Sequence, residues 1–271
     1  MLFRSSRCET LVCPYHGWRF DRTGCNTHVP YSDRLNRSKG LRAWHVKEVG
    51  ESIILAWHSP DDSSPIFDPP DSSVLPGLGD SGSFAIGPST SRRYSDLPMQ
   101  IEFVAENIVD MSHFKFVHET PDIGSIIQLD PIDHRLRVRF SMPIMLYRSD
   151  GGGGIEDSVT EVTSWGLGLI LGQFADGSLL LQAQTPIDDT MCELMLTVVA
   201  PRDNSEASEP TGKELARIKM AWRQVENDIV IWSHRRKGAI RPIADEVAAF
   251  KVFNKWKKQF YTATPNSNKE S

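Results

Sequence analysis

The sequence predicts an α+β protein in which a small β domain precedes a larger antiparallel sheet packed against helices. Three observations support this class. The first 59 residues alternate short strand-like runs with turn signals, which is typical of a small β domain. Residues Pro98–His118 carry apolar side chains at intervals of three and four, the period of an amphipathic helix. Strand-like runs then follow, and two long amphipathic helices close the chain.

In the first part of the chain, three runs predict strands: Thr10–Cys13, Leu41–Lys47 and Ser52–Trp57. The last two are predicted to form a hairpin across residues 48–51. From Ser59 to Ser91 the chain is rich in Pro, Ser, Asp and Gly, a composition that predicts a surface connection. The predicted domains are therefore residues 1–59 and 98–271, joined by a linker at 60–97.

In the larger domain, alternating and apolar runs predict an antiparallel sheet. Its predicted strands are Gln128–Asp130, Leu136–Met142, Ser158–Ser164, Leu167–Gly172, Leu179–Pro186 and Cys192–Pro201. Two amphipathic patterns predict helices at about Thr211–Trp232 and Ile243–Tyr261.

Composition excludes several classes of protein. The 271 residues carry a net charge of −5, which argues against a nucleic-acid-binding surface. No apolar run is long enough to span a membrane, and the first residues lack the apolar segment of a signal peptide. Four cysteines do not form a disulfide framework. We therefore expect a soluble, cytoplasmic protein with reduced thiols.

The most specific short motif is Cys13-Pro-Tyr-His-Gly-Trp18, which presents one thiolate and one imidazole from a tight turn. A Rieske [2Fe–2S] cluster needs two cysteines on one iron and two histidines on the other. With the following Arg19-Phe-Asp21 and Gly24, this hexapeptide resembles the second half of the Rieske motif of oxygenases. The resemblance implies that Cys13 and His16 are cluster ligands, that Gly17 lets the backbone approach the cluster, and that Trp18 shields it.

The first half of that motif, a Cys-x-His pair, is expected fifteen to twenty residues upstream in the family. Only twelve residues precede Cys13, and Cys8 is followed by Thr10 where the histidine belongs. We therefore expect half of the ligands of a [2Fe–2S] cluster, through an N-terminal truncation, a late gene start or a loss of the cluster. A competing interpretation joins Cys13 and His16 with Cys25 and His28 in a four-ligand zinc site.

A second constellation contains Asn107, Asp110, His113 and His118. The histidines are five residues apart, about 140° around an ideal helix, so the helix must bulge or end between them if both bind one metal. Asp110 and His113 share a face, and the aspartate can accept the proton on the far ring nitrogen of His113. The alternative is a helix that packs against the core and whose two histidines have hydrogen-bond partners within the protein.

The pattern N-x-x-D-x-x-H-x-x-x-x-H resembles the iron-binding segment of Rieske non-haem iron oxygenases. That resemblance implies that His113 and His118 bind Fe(II) and that Asp110 links the cluster of one subunit to the iron of its neighbour. A facial triad needs one carboxylate more. We expect it from Asp228, with Glu226 as the alternative, since an acid on an apolar helix face is costly to bury without a partner. Two solvated helix acids remain the other interpretation.

Three segments resemble the 3-ketosteroid 9α-hydroxylase and sterol 7-desaturase branch: Asp110-Met-x-His113-Phe, Asp228-Ile-x-Ile-Trp232 and Trp256-Lys-Lys-Gln-Phe-Tyr261. The resemblance implies a helix-grip (START-like) catalytic domain and a homotrimer. It also implies O₂-dependent hydroxylation or desaturation of a bulky hydrophobic substrate, with electrons from NAD(P)H through a ferredoxin or flavin reductase. A chain without a complete cluster could instead keep only the pocket and act as a hydrophobic-ligand-binding module. Retention of His113, His118 and Asp228 favours the oxygenase.

Overall fold

The computed structural model of the protein describes most of the chain: residues 4–5, 10–38, 40–49, 53–59, 63–71, 82–147, 153–236, 238 and 242–261. Cys8, considered above as a ligand, lies outside the described residues. The chain divides into two compact units, one of residues 1–49 and 53–69 and the other of residues 50–52 and 70–271.

The first unit contains a four-stranded antiparallel sheet in the order β1-β2-β3-β4 and a separate hairpin, β5-β6. Its strands are β1 Arg4–Ser5, β2 Leu11–Val12, β3 Arg19–Phe20, β4 Asn26–His28, β5 Val46–Val49 and β6 Ile53–Ala56. The hairpin pairs Val49 with Ile53. The predicted strand Leu41–Lys47 is shifted in the structure: residues 41–45 precede β5 without joining the ladder, whereas Glu48 and Val49, predicted in the turn, pair with Ile54 and Ile53.

The second unit is built on a seven-stranded antiparallel sheet in the order β7-β13-β12-β11-β10-β9-β8. Its strands are β7 Ser91–Leu97, β8 Ser125–Ile132, β9 Arg135–Tyr147, β10 Gly153–Trp165, β11 Leu169–Gln173, β12 Leu179–Pro186 and β13 Cys192–Val199. All six strands predicted from the sequence are present. The additional strand, β7, lies in the segment that composition assigns to the linker.

Strand β7 is hard to read from sequence because it is an edge strand with little apolar alternation. It reads Ser-Arg-Arg-Tyr-Ser-Asp-Leu and has no fully buried residue. Its main chain nevertheless pairs with β13, through Arg92 with Leu196 and Tyr94 with Leu194. Charged residues are common on edge strands, where they discourage pairing with other chains.

The helix predicted over Pro98–His118 is divided into two. Helix α1 spans Ile101–Glu106 and continues as a 3₁₀ turn, and helix α2 spans Ser112–Val117. The break falls at Asp110, whose backbone is extended, with φ −93° and ψ 94°. This break precedes both histidines, and the interruption expected between them is instead the end of α2 at Val117, directly before His118.

The two C-terminal helices match their predicted positions. Helix α3 spans Gly212–His234 and begins with a capping box between Thr211 and Glu214, which satisfies main-chain N–H groups of the first turn. Helix α4 spans Val247–Lys257, with short 3₁₀ turns on both sides. In the part of the chain that the structure describes, no helix combines the length and apolarity needed to cross a membrane.

The core lies between one face of the seven-stranded sheet and the buried faces of the helices. Helix α3 contributes Ile218, Trp222, Val225, Asp228 and Trp232, spaced by three or four residues. The alternation along β9 and β13 buries Leu136, Val138 and Phe140 with Leu194, Leu196 and Val198 on the same sheet face. The arrangement of helices on one face of an antiparallel sheet confirms the predicted α+β class.

Candidate metal centre

Three predicted ligands, His113, His118 and Asp228, come together in the second unit. His113 lies in α2, His118 caps the C-terminus of α2, and Asp228 lies in the middle of α3. His118 leaves helical geometry with φ −106° and ψ 3°. The helix therefore ends at the second histidine, which allows side chains five residues apart to face one point.

The donor atoms of these three residues lie within 4.8 Å of one another. Nε2 of His118 is 3.3 Å from Oδ1 of Asp228, and the two side chains are only 5% and 8% exposed. The rings of His113 and His118 approach edge to face, with centroids 5.1 Å apart. The structure thus holds two imidazoles and a carboxylate together away from water.

The hydrogen bonds of His113 define which ring nitrogen carries the proton and which carries the lone pair. Nδ1 contacts the main-chain carbonyl oxygen of Asp110, which can only accept, so Nδ1 carries the proton. Nε2 is then the lone-pair nitrogen, and it accepts from Nδ2 of Asn107 at 3.1 Å. Burial lowers the pKa of His113, opposed in part by Asp228, and therefore favours the neutral ring that metals bind.

The donor set fits a divalent iron ion. Two histidines and one carboxylate are the ligands of the facial triad of non-haem Fe(II) oxygenases. Nδ1 of His118 is buried and has no hydrogen-bond partner among the described residues. A buried polar atom without a partner is costly, and so is a buried carboxylate that lacks an opposite charge. A cation bound by all three residues would supply that charge to Asp228.

Asp110 contacts His113 through different atoms from those predicted. The sequence suggests that its carboxylate accepts the proton of the ring, whereas the main-chain carbonyl takes that place. The carboxylate Oδ1 instead accepts from the hydroxyl of Ser112 at 3.0 Å and from the backbone N–H of His113 at 3.3 Å. Asp110 therefore fixes both the start of α2 and the tautomer of His113.

Glu226, the alternative carboxylate, faces another environment. It is two residues from Asp228, about 200° around the helix. Its carboxylate pairs with the guanidinium of Arg92 at 2.5 Å and accepts from the hydroxyl of Tyr94 at 2.6 Å. Burial and this carboxylate raise the pKa of Tyr94 to about 12. The structure brings Asp228, rather than Glu226, to the two histidines.

Two residues that support the centre were not assigned a role from the sequence. Asn107 contacts the ring of His113 directly. Glu106, 5% exposed, pairs with Arg235 immediately after α3 and lies 3.9 Å from Lys257 on α4. The signal for Glu106 was present in the sequence, since an acid follows the apolar Phe103-Val-Ala105 run. Its partner, 129 residues away, could be found only from the fold.

In the first unit, Cys13 and His16 lie at the tip of the β2-β3 hairpin. The backbone N–H of Cys13 donates to the carbonyl of Trp18, and that of Gly17 donates to the carbonyl of Cys13. Gly17 has φ +71°, and a Cβ there would lie 3.0 Å from the Pro30 ring, so only glycine suits this turn. Cys13 is partly buried and His16 is exposed.

The four donors of the zinc interpretation do not gather at one point. Cys13, His16, Cys25 and His28 are all described, yet within the described residues the one group of three or more metal-binding side chains is His113, His118 and Asp228. The hairpin presents one thiol and one imidazole, the two side-chain types that a Rieske-type [2Fe–2S] cluster binds.

Comparison with known families agrees with both motifs. Residues 56–261 match the 3-ketosteroid 9α-hydroxylase C-terminal domain, and residues 4–44 match the Rieske [2Fe–2S] domain. The chain belongs to the Rieske oxygenase family. The resemblance inferred from the residues is thereby confirmed, including its 3-ketosteroid 9α-hydroxylase and sterol 7-desaturase branch.

Individual relatives are distant but align along most of the chain. A cholesterol 7-desaturase of Bombyx mori is 22% identical over 273 residues, covering 94% of this chain and 57% of that protein. The oxygenase component of a 3-ketosteroid-9-alpha-monooxygenase of Mycobacterium tuberculosis is 22% identical over 269 residues, covering 93% and 66%. The chain thus spans about half to two thirds of these relatives' length.

Solved structures show the same fold. The crystal structure of dicamba monooxygenase bound to dicamba aligns with a TM-score of 0.58 and 16% identity over 93% of this chain and 80% of that one. The Pseudomonas putida CBB5 protein NdmA with caffeine aligns with a TM-score of 0.59 and 17% identity over 92% and 70%. At this level of identity the comparison establishes the architecture alone.

Proposed function

We propose that this chain carries the catalytic centre of an O₂-dependent Rieske-type monooxygenase or desaturase. The observation that carries the proposal is the buried convergence of His113, His118 and Asp228. A carrier of apolar ligands gains nothing from burying two imidazoles and a carboxylate together, because each loses hydration. Metal binding accounts for their placement.

The substrate that we propose is a bulky, mostly apolar molecule of the sterol or steroid class. The relatives' names refer to 3-ketosteroids and to cholesterol. The sheet face that packs against the helices is mainly aliphatic and includes Ile170, Leu180 and Leu196. Such a surface suits a hydrophobic ligand, which hydrogen bonds must then orient.

The residues of the chain have separable roles in this reaction. Fe(II) supplies the reductive activation of O₂ when it is bound. His113, His118 and Asp228 would hold that ion through two imidazoles and one carboxylate. The Asp110 carbonyl keeps the proton on Nδ1 of His113, so that Nε2 remains a ligand. The surrounding apolar side chains exclude water and hold the substrate carbon beside the centre.

Electrons for the reaction would come from NAD(P)H through a ferredoxin or flavin reductase to a [2Fe–2S] cluster. Cys13 and His16 would supply two of the four ligands of that cluster. In hydroxylation, O₂, two electrons and two protons insert one oxygen atom into a C–H bond and release water. We further propose that Asp110 links cluster and iron between subunits of a homotrimer, and that the protein works in the cytoplasm.

The iron content of single variants tests the assignment. The purified chain is loaded anaerobically with Fe(II), desalted and analysed for iron. His113→Ala, His118→Ala and Asp228→Ala should each lose most of the metal, because a missing ligand opens the site to water. Glu226→Ala is the matched control and should retain it. If Asp228→Ala retained iron and Glu226→Ala lost it, the ligand would be Glu226 rather than Asp228.

A further inference from the structure

Two glutamines of β12 lie on the inner, otherwise apolar face of the seven-stranded sheet. Residues that pair directly across antiparallel strands point to the same face. Gln182 pairs with Leu196 on one side and Ile170 on the other, and Gln184 pairs with Leu194. These three aliphatic neighbours are at most 1% exposed and belong to the core. Both amides therefore project toward the helices that carry the metal centre.

The amide of Gln184 is buried without partners. The residue is 4% exposed, and neither Oε1 nor Nε2 has a hydrogen-bond partner among the described residues. Oε1 of Gln182 is also buried without a hydrogen-bond partner among the described residues. Leaving such groups unpaired costs free energy, and an aliphatic residue of similar size would avoid that cost. The retained amides are thus explained best by a partner that the protein chain does not supply.

A third unpaired group lies across from this face. Trp222 on α3 is 4% exposed, and its Nε1 has no acceptor among the described residues. The guanidinium of Arg92 stacks over its ring at 4.3 Å, and Arg92 pairs with Leu196, the cross-strand neighbour of Gln182. Trp222 and Asp228 are both buried residues of α3, about 9 Å apart along the helix axis. Both side chains therefore lie on the side of α3 that packs into the core.

We propose that Gln184, together with Gln182 and Trp222, binds the oxygen substituent of an otherwise apolar steroid-type substrate. This inference rests on the proposed function and extends it to substrate orientation. An amide donates to a ketone and accepts from a hydroxyl, whereas an indole only donates. Anchoring the polar end of a rigid apolar skeleton would determine which carbon lies beside the iron.

The test compares Gln184→Met with the unaltered chain, both loaded with Fe(II). Methionine keeps the length of the side chain and removes the amide. Gln224→Met, at an exposed position of α3, is the matched control. The probes are cholestenone, cholesterol and the hydrocarbon cholestane, delivered from cyclodextrin, with affinity measured by isothermal titration. Iron content and the thermal midpoint are measured in parallel.

We expect Gln184→Met to bind cholestenone and cholesterol on the order of tenfold more weakly, because their oxygen loses its partner. Affinity for cholestane and iron content should not change. Without ligand, the variant should have a thermal midpoint a few degrees higher, because the unpaired amide is gone. Loss of a structural glutamine would instead lower the thermal midpoint, so the direction of the change distinguishes the two roles.

Two results would overturn the inference in distinguishable ways. Unchanged affinity for the oxygenated steroids in Gln184→Met, with a lowered thermal midpoint, would show a structural amide and leave the proposed function intact. Failure of the unaltered, iron-loaded chain to bind any of the three probes would remove both the anchor and the steroid class of substrate. Iron loading alone would then still report on the metal centre.

Discussion

Removing one partner of the ion pair between Glu106 and Arg235 should strongly destabilise the second unit, because the other charge is left buried. Arg235 follows α3, which carries Asp228, and Glu106 ends α1, which leads to His113. The side chains are 18% and 5% exposed, respectively. Replacing Arg235 by Met leaves a buried carboxylate whose remaining cation, Lys257, lies 3.9 Å away. Removing one partner of a buried pair costs about 3–5 kcal/mol, and Lys257 places this variant near 3 kcal/mol.

The reverse substitution should cost less. In Glu106→Gln the unpaired group is Arg235, which is the more exposed partner and can regain hydration, so we expect about 1–2 kcal/mol. For a unit of this size, 3 kcal/mol corresponds to a decrease of roughly 6–12 °C in the thermal midpoint. Circular dichroism during urea and thermal unfolding measures both variants, and Arg236→Met, at an exposed neighbouring position, is the control.

The double variant Glu106→Gln/Arg235→Met should lose less stability than the sum of the single variants, because no buried charge is left alone. A cost of Arg235→Met within about 0.5 kcal/mol of zero would refute this reasoning, since values of that size are typical of exposed pairs.

The remaining predictions concern Asp110 and His113. In a protein that contains a complete cluster, Asp110→Asn should retain iron and reduce its cluster but lose product formation; normal turnover in stopped-flow and product assays would remove Asp110 from the electron path. Because burial lowers the pKa of His113, the neutral ring should persist as the pH falls through the ordinary histidine value of about 6.5. Its contribution to stability is then present above that value and lost as the pH falls through the lower, folded-state pKa. Iron retention after desalting at a series of pH values should therefore decline only below about pH 6.5, and a midpoint above it would contradict the effect of burial.

The convergence of His113, His118 and Asp228 was predictable because the spacing of these residues matches the iron-binding pattern that the sequence resembles. Two histidines five apart required an interrupted helix, and a lone acid on the apolar face of α3 required a partner. The long strands and α3 were predicted from apolar runs and from periods of two and 3.6 residues. The interrupted helix, α3 and the six predicted strands are all found in the structure.

Other features depend on contacts that no local pattern encodes. Strand β7 is held by main-chain pairing with β13, so its polar side chains resemble those of a loop. The carbonyl of Asp110, rather than its carboxylate, contacts His113 because the backbone is extended at that residue. That the amide of Gln184 is buried and unpaired could not be predicted, because it depends on the register that places β12 against β13.

The most direct test of the account is the position of iron in a crystal of the anaerobically loaded protein. Anomalous diffraction measured on both sides of the iron absorption edge locates the metal without prior assumptions. We predict a strong peak in the second unit, in direct contact with His113, His118 and Asp228. An iron peak with other ligands, or full iron loading with no peak between these three side chains, would contradict it.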